Sequence, residues 1–447
     1  METWVTEKHQ KESLAALKRL IDIPSVNTAD GTSFPPFGKA IEDCLTEALA
    51  ICEALGMTTY HDPAGFYGYA DYGQGEELIA VLCHLDVVPA GDLALWETDP
   101  FQAVVKDGVM YGRGSQDDKG PTIAALYAFK AVVDAGFTFN KRIRFVFGTD
   151  EEILWRCMAH YNLKEEQPTK GFVPDSAFPV TYAEKGLLQA KLVGPGSSAF
   201  ALDCGDAFNV VPGNAQYQGQ DAQQVSQKLV ELGISQTLAN QTVTVSGKAV
   251  HASAAGQGIN AINQLATGLV QVHPHPILQF LAEKVGTETN GFRIFGEVKD
   301  EMTGELTFNV ATIKVDETKS EIELDLRIPV SYPAADLAAI LEKTAAAYGL
   351  MYEEFDHVPA LYVPKESDLV QTLMAIYQNK TGDKAQPLTS GGATYARTMK
   401  NMVAFGAHFP NTKSLAHQAN EGIVLAELFQ AMDIYAETIV QLCCEEE

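Results

Sequence analysis

Five segments of this chain place histidines or carboxylates just beyond an apolar run or just before a helix, where a fold can aim them at a common point. In LIAVLCHLDVVPAGD the run stops at His84-Leu85-Asp86. The strand period of two puts His84 and Asp86 on one face, so the Asp86 carboxylate can orient the His84 imidazole. In YGRGSQDDKGP, Gly112, Gly114 and Gly120 permit a tight backbone. Asp117-Asp118 then precedes a helix start, where the helix dipole favours carboxylates. RIRFVFGTDEE ends a second apolar run in Glu151-Glu152, whose side chains project to different sides. One can hold a metal while the other addresses water. GFVPDSAFPV delivers Asp175 in the same way, and SLAHQANEGI sets His417 before the closing helix.

Taken singly, each segment has an ordinary reading: a strand-end histidine, a capping aspartate, a solvated acidic pair or a loop histidine. Together His84, Asp117, Glu152, Asp175 and His417 form a hard-to-borderline donor set. Such a set suits two divalent metal ions, Zn²⁺ first, with Mn²⁺ or Co²⁺ as alternatives. A single structural ion does not need so many acids.

The elements that must position these residues follow from periodicity. Leucines and isoleucines at three- and four-residue spacing predict helices over 11–21 and 39–55, with Gly56 as the C-terminal stop. Apolar runs over 78–85 and 143–147 predict strands. Between them, 120–135 reads as a helix opened by Pro121 and stopped by Gly136, and strand-helix-strand order implies parallel pairing. After about 184 the texture changes. Val193-Gly194-Pro195-Gly196 breaks the chain, and alternation over 242–246 and 320–327 predicts an antiparallel α+β domain. Near Val363-Pro364-Lys365 long helices return, over 367–379 and roughly 421–442. The chain is therefore expected to be α/β with two domains, one discontinuous: 1–183 with 363–447, and 184–362 inserted.

Composition excludes some partners. The 447 residues carry 32 Lys+Arg against 58 Asp+Glu, a net charge of −26, so a phosphate backbone is an unsuitable ligand and no nucleic acid is expected. No run of about 18 apolar residues occurs, and the N-terminus lacks a long apolar stretch after basic residues, so no membrane partner is expected. Seven cysteines without a CxxC spacing fit a reducing, cytoplasmic setting.

HLDVVPAGD, GRGSQDDKG, the Glu-Glu after a strand, VPDSAFP and HQANE, in this order across nearly the whole chain, resemble the M20 metallopeptidase family. The likeness is to its PepV-like, carnosinase-type dipeptidases. It implies a zinc-peptidase-like catalytic α/β/α domain with a mixed sheet, interrupted by an α+β lid with an antiparallel sheet. His84 and Asp175 would hold one ion and Glu152 and His417 the other. Asp117 would bridge them, followed by a cis peptide to Asp118, and Glu151 would be the general base, with Asp86 in support of His84. In the inserted domain SGKAVHASAAGQGINAI resembles the lid motif, giving His251 the developing oxyanion to bind. Ala252 and Ala255 depart from the glycine and proline common there.

Along 321–327, Ile322, Leu324 and Leu326 share a face and Arg327 takes the other, where a plain surface position is the alternative. The resemblance gives Arg327 the substrate's carboxylate, which a guanidinium can grip bidentately. Asn209 in FNVVP would be a second polar contact. Gly391, Gly392 and Ala393 in TSGGATYARTM would offer backbone amides.

The resemblance implies an enzyme that hydrolyses unblocked dipeptides, acting as a monomer whose long lid completes its own site. An N-acyl amino acid deacylase or carboxypeptidase on the same scaffold is the near alternative. A catalytically silent peptide-binding protein is the distant one, against which Glu151 and the full donor set argue.

Overall fold

Hydrophobic patterning decides where the parallel strands lie. In the computed structural model, which describes residues 3–445, the strand Leu78–His84 is buried at every position. An unbroken apolar run suits a strand covered on both faces, which alternation would not. It pairs in parallel with Arg142–Gly148 on one side and Lys170–Val173 on the other, and Met402–Phe405 extends the parallel set. Tyr67–Tyr72, Thr58–His61 and, at the other end, Val180–Glu184 add antiparallel pairings, so the sheet is mixed.

Helices Glu7–Ile21, Lys39–Ala54, Lys119–Asp134, Arg156–Lys164, Asp368–Thr381 and Leu425–Cys443 accompany this sheet. The first begins earlier than its leucine spacing predicts. Thr6 accepts from the His9 amide while the His9 ring accepts from Thr6 N, a reciprocal cap built with histidine instead of glutamate. The last helix begins later than expected, because Gly422–Val424 pairs as a short strand with Val109–Tyr111.

The chain divides into two compact units. The first runs up to Tyr182 and resumes over Val363–Leu388 and from Thr394; the second is Ala183–Tyr362 with Thr389–Ala393. The segment Thr389–Ala393 therefore groups with the second unit, whereas its sequence position put it in the C-terminal part of the other domain. Hydrogen bonds explain this: Lys185 N donates to Ser390 O, and Arg327 Nη1 donates to Gly391 O.

In the second unit a five-stranded antiparallel sheet runs in the order Leu202–Cys204, Thr307–Val315, Lys319–Ile328, Gly186–Pro195, Met351–Val358. A smaller sheet joins Asn214–Gln218, Thr242–Ser246 and Gln236–Ala239. Leu188, Leu192, Ile322, Leu324 and Leu326 bury one face of the larger sheet in this unit's own core. Among the described residues no helix is long and apolar enough to cross a membrane. All seven cysteines are buried and unbridged.

Candidate metal centre and its neighbours

Three adjacent parallel strands end beside one another, and each is followed by acids or a histidine. His84 closes Leu78–His84, Glu151 and Glu152 follow Arg142–Gly148, and Asp175 follows Lys170–Val173. The carboxyl ends of parallel strands are where open α/β sheets put their sites. Asp117 comes from the glycine turn before helix Lys119–Asp134, and His417 from an irregular stretch between Ala407–His408 and Gly422–Val424.

Asp117 lies between the histidines. Its Oδ1 is 2.9 Å from His84 Nε2, and its Oδ2 is 3.1 Å from His417 Nε2. On the first side Asp175 Oδ2 is 3.6 Å from His84 Nε2; on the second, Glu152 Oε2 is 3.0 Å from His417 Nε2. Donor atoms of His84, Asp117 and Glu152 lie within 4.8 Å of one another, as do those of His84, Glu151 and Asp175. All five sequence-nominated donors are thus brought together. Glu151, expected only as a base, joins the His84–Asp175 group.

Asp86 corrects an expectation. Its backbone oxygen, not its carboxylate, makes the close contact to His84 Nδ1, at 3.0 Å against 3.6 Å for Oδ1. A carbonyl only accepts, so Nδ1 carries a proton and Nε2 faces the cluster. The Asp86 carboxylate instead accepts from the amides of Glu151 and Glu152, both at 3.0 Å, and so shapes their turn. Trp155 pins the same turn by donating its indole N–H to Glu151 O at 2.6 Å. The Asp117–Asp118 peptide is cis, as the resemblance implied. Asp118 is buried, and its Oδ2 accepts from His84 N and Thr122 Oγ1. Gly114, at φ +86°, lets the turn close, since a Cβ there would lie 2.9 Å from Val87.

The electrostatics fit divalent cations. Burial, then repulsion from neighbouring carboxylates, pushes Glu151 and Asp175 well above the ordinary range. The same causes push Glu152 up to about 7. Burial would also raise Asp117, but hydrogen bonds from His417 and His84 hold it low. Hydrogen bonds to Asp117 and Glu152 raise His417 to about 10. Imidazole hydrogen bonds thus offset part of the repulsion among clustered acids, and four closely spaced carboxylates with two imidazole nitrogens are a donor set that divalent ions would neutralise better.

The second unit assembles the other nominated residues. His251 Nδ1 is 3.2 Å from the Ser253 amide and 2.8 Å from Ser253 Oγ. An amide only donates, so neutral His251 carries its proton on Nε2. Ala252 N donates to Asn209 O at 2.8 Å, which ties the exposed Asn209 to the His251 turn. Gly391 packs against Ser253, where a Cβ would sit 2.9 Å from that side chain, and Gly392 N donates to Ser390 Oγ. Ala393 ends this segment.

Arg327 is buried, not a surface residue. Its Nε and Nη2 hold buried Asp325 at 2.7 and 3.0 Å. Nη1 donates to Gly391 O at 3.3 Å. With five N–H groups in all, a guanidinium so held has one on each terminal nitrogen left for a further acceptor.

Sequence reasoning missed Arg113, Gln116, Glu421, Ser253 and Asp325. The first four lie inside motifs already singled out, and Asp325 shares the Arg327 strand, but their partners are distant or backbone groups that no periodicity marks.

Donors at the ends of parallel strands, in a chain that also carries an inserted antiparallel unit, define a class, the metal-dependent hydrolases of mixed α/β fold. Residues 80–441 match peptidase family M20/M25/M40. A Bacillus subtilis protein named "Putative dipeptidase" is 35% identical over 430 residues, 91% of this chain and 92% of its own length. This chain belongs to that peptidase family, and it is a hydrolase of the metallopeptidase kind. The fold is shared with human carnosine dipeptidase 1, at TM-score 0.60 and 14% identity over 97% of this chain and 96% of that one. It is shared too with a Bacillus subtilis M20 peptidase described as dinuclear metal binding, at TM-score 0.55 and 11% identity over 98% and 99%.

Proposed function

We propose that this protein is a two-metal dipeptidase that hydrolyses the amide bond of unblocked dipeptides. The observation that carries the reading is Asp117, whose two oxygens each face a histidine while Glu152 and Asp175 flank opposite ends. His84, Asp175 and Asp117 would hold one ion, and His417, Glu152 and Asp117 the other. Zn²⁺ suits the mixture of imidazole and carboxylate, with Mn²⁺ or Co²⁺ as alternatives. Such ions, when bound, acidify water and polarise the scissile carbonyl.

Glu151 takes a proton from the attacking water at its carboxylate and returns it to the leaving nitrogen. Asp86 serves by holding the Glu151 amide, so its part is orientation. His251 presents Nε2–H to the carbonyl oxygen as charge develops there. Arg327 offers its two remaining N–H groups to the substrate's C-terminal carboxylate, with Asn209 and the 391–393 amides as further polar contacts. The domain Ala183–Tyr362 acts as a lid, and the protein works as a monomer in the cytoplasm.

The test is amino-acid release from a dipeptide panel, with and without added Zn²⁺ or Mn²⁺, against the same peptides N-acetylated. Metal-dependent release from the free forms alone is expected. Equal cleavage of the acetylated forms would favour a deacylase or carboxypeptidase. A Glu151→Gln variant should keep its metal yet lose roughly 10²–10⁴-fold in turnover, the scale of general acid–base catalysis.

A further inference from the structure

Arg113 and Glu421 form an ion pair with side chains only 2% and 1% exposed, at 2.6 Å between Nη1 and Oε2. A buried ion pair is weak evidence of stability, because desolvation can cancel its attraction. Its position suggests another use. Glu421 Oε1 accepts from the amides of Gln116 at 2.8 Å and Asp117 at 3.3 Å. Arg113 donates from Nη1 to Gln418 O and from Nη2 to Pro89 O, both at 3.2 Å. Gln116 completes the bracket, accepting from Leu415 N at 2.7 Å and donating to Lys413 O and Gly422 O at 3.1 and 2.9 Å. Three side chains thus join the Asp117 turn to both flanks of His417, whose own stretch belongs to no helix or strand.

We propose that Glu421, with Arg113 and Gln116, is a positioning group that sets the spacing of His417 from Asp117 and so governs binding of one ion, that on the His417–Glu152 side. This rests on the two-metal reading above. His84 and Asp175 are held by strands and lie outside the bracket, which reaches the ion on their side only through the amide of the shared Asp117, so that ion should be affected far less. The groups that orient metal ligands commonly cost 10–100-fold in affinity when lost, and the effect here should fall chiefly on one ion.

The experiment is a titration of metal-free full-length protein with Co²⁺, followed by visible absorption, for wild type, Glu421→Gln and Gln116→Ala, with urea unfolding of each metal-free form alongside. Gln116→Ala leaves the ion pair intact and serves should Glu421→Gln fold poorly. Wild type should take up two ions. In the variants one uptake should weaken by roughly 10–100-fold while the other changes much less, and turnover lost at limiting Co²⁺ should return in excess with KM for dipeptide unchanged. Equal weakening of both uptakes in step with lost stability would mean a merely structural role and overturn the proposal. Two unchanged uptakes would overturn it as well, leaving the two-metal reading standing. Wild type that takes up fewer than two ions would overturn that reading and this one together.

Discussion

The two histidines that meet Asp117 are held in opposite ways. His84 closes a strand buried throughout, its side chain is 1% exposed, and a backbone carbonyl sets its tautomer. His417 stands at φ +63° in an irregular stretch with its side chain 51% exposed, kept in place by side-chain ties from Arg113, Gln116 and Glu421. Sheet hydrogen bonds and core packing build the first half of the cluster. The second half is built by a few polar side-chain contacts outside any helix or strand. The halves should therefore be separable by mutation.

The hardest test of that division is the group common to both. Asp117→Asn should weaken both ion uptakes and lower turnover by more than about 10³-fold, as expected where residues act as a unit. A Co²⁺ titration in which only one uptake changes would show that Asp117 serves one half. Next in size is the contrast between His84→Ala and His417→Ala. Removing His84 leaves the partly buried Asp117 and Asp175 without their fully buried imidazole, a loss of about 3 kcal/mol in the metal-free protein. Removing His417 breaks a half-exposed pair, which solvent screening limits to about 1 kcal/mol or less. Urea unfolding of the metal-free variants measures both, and equal losses would erase the distinction between the halves.

What the sequence revealed follows the same division. His84, Glu151, Glu152 and Asp175 were legible because unbroken apolar runs announced buried strands and placed them at the ends. His417 was legible only by its motif, since nothing in its local pattern says what it meets. Glu421 stood four residues on in the same motif without a role, because its partners, Arg113 and the Gln116 amide, lie some 300 positions away. Asp86 was read onto the correct face, but strand periodicity cannot tell a side-chain contact from one made by the carbonyl of the same residue. Arg327 was placed opposite Leu324 and Leu326, yet its burial depended on Asp325, which alternation alone marks as just another polar position.

The smallest expected effect is a slope with pH, and its sign separates metal-free from metal-loaded protein. Glu152 is raised to about 7 by burial and by Asp117 from an ordinary 4.5, and His417 to about 10 by hydrogen bonds to Asp117 and Glu152 from 6.5. Both groups hold more proton folded than unfolded, so each contributes stability that is full below its unfolded value and lost as pH rises through its folded value. Metal-free protein should thus lose stability as pH rises from about 5 to 8, mostly through Glu152 because screening trims the share of exposed His417. Asp117, held low, loses its contribution only in acid below this window. Divalent ions need the same groups deprotonated, so their affinity and the stability they add grow with pH. The gap in melting temperature between loaded and metal-free protein should widen over this range. It should widen less in His417→Ala, where the exposed half can no longer take up its ion. A metal-free protein that instead gains stability as pH rises would mean that the acids around Asp117 are already balanced, and that neither half of the cluster awaits a cation.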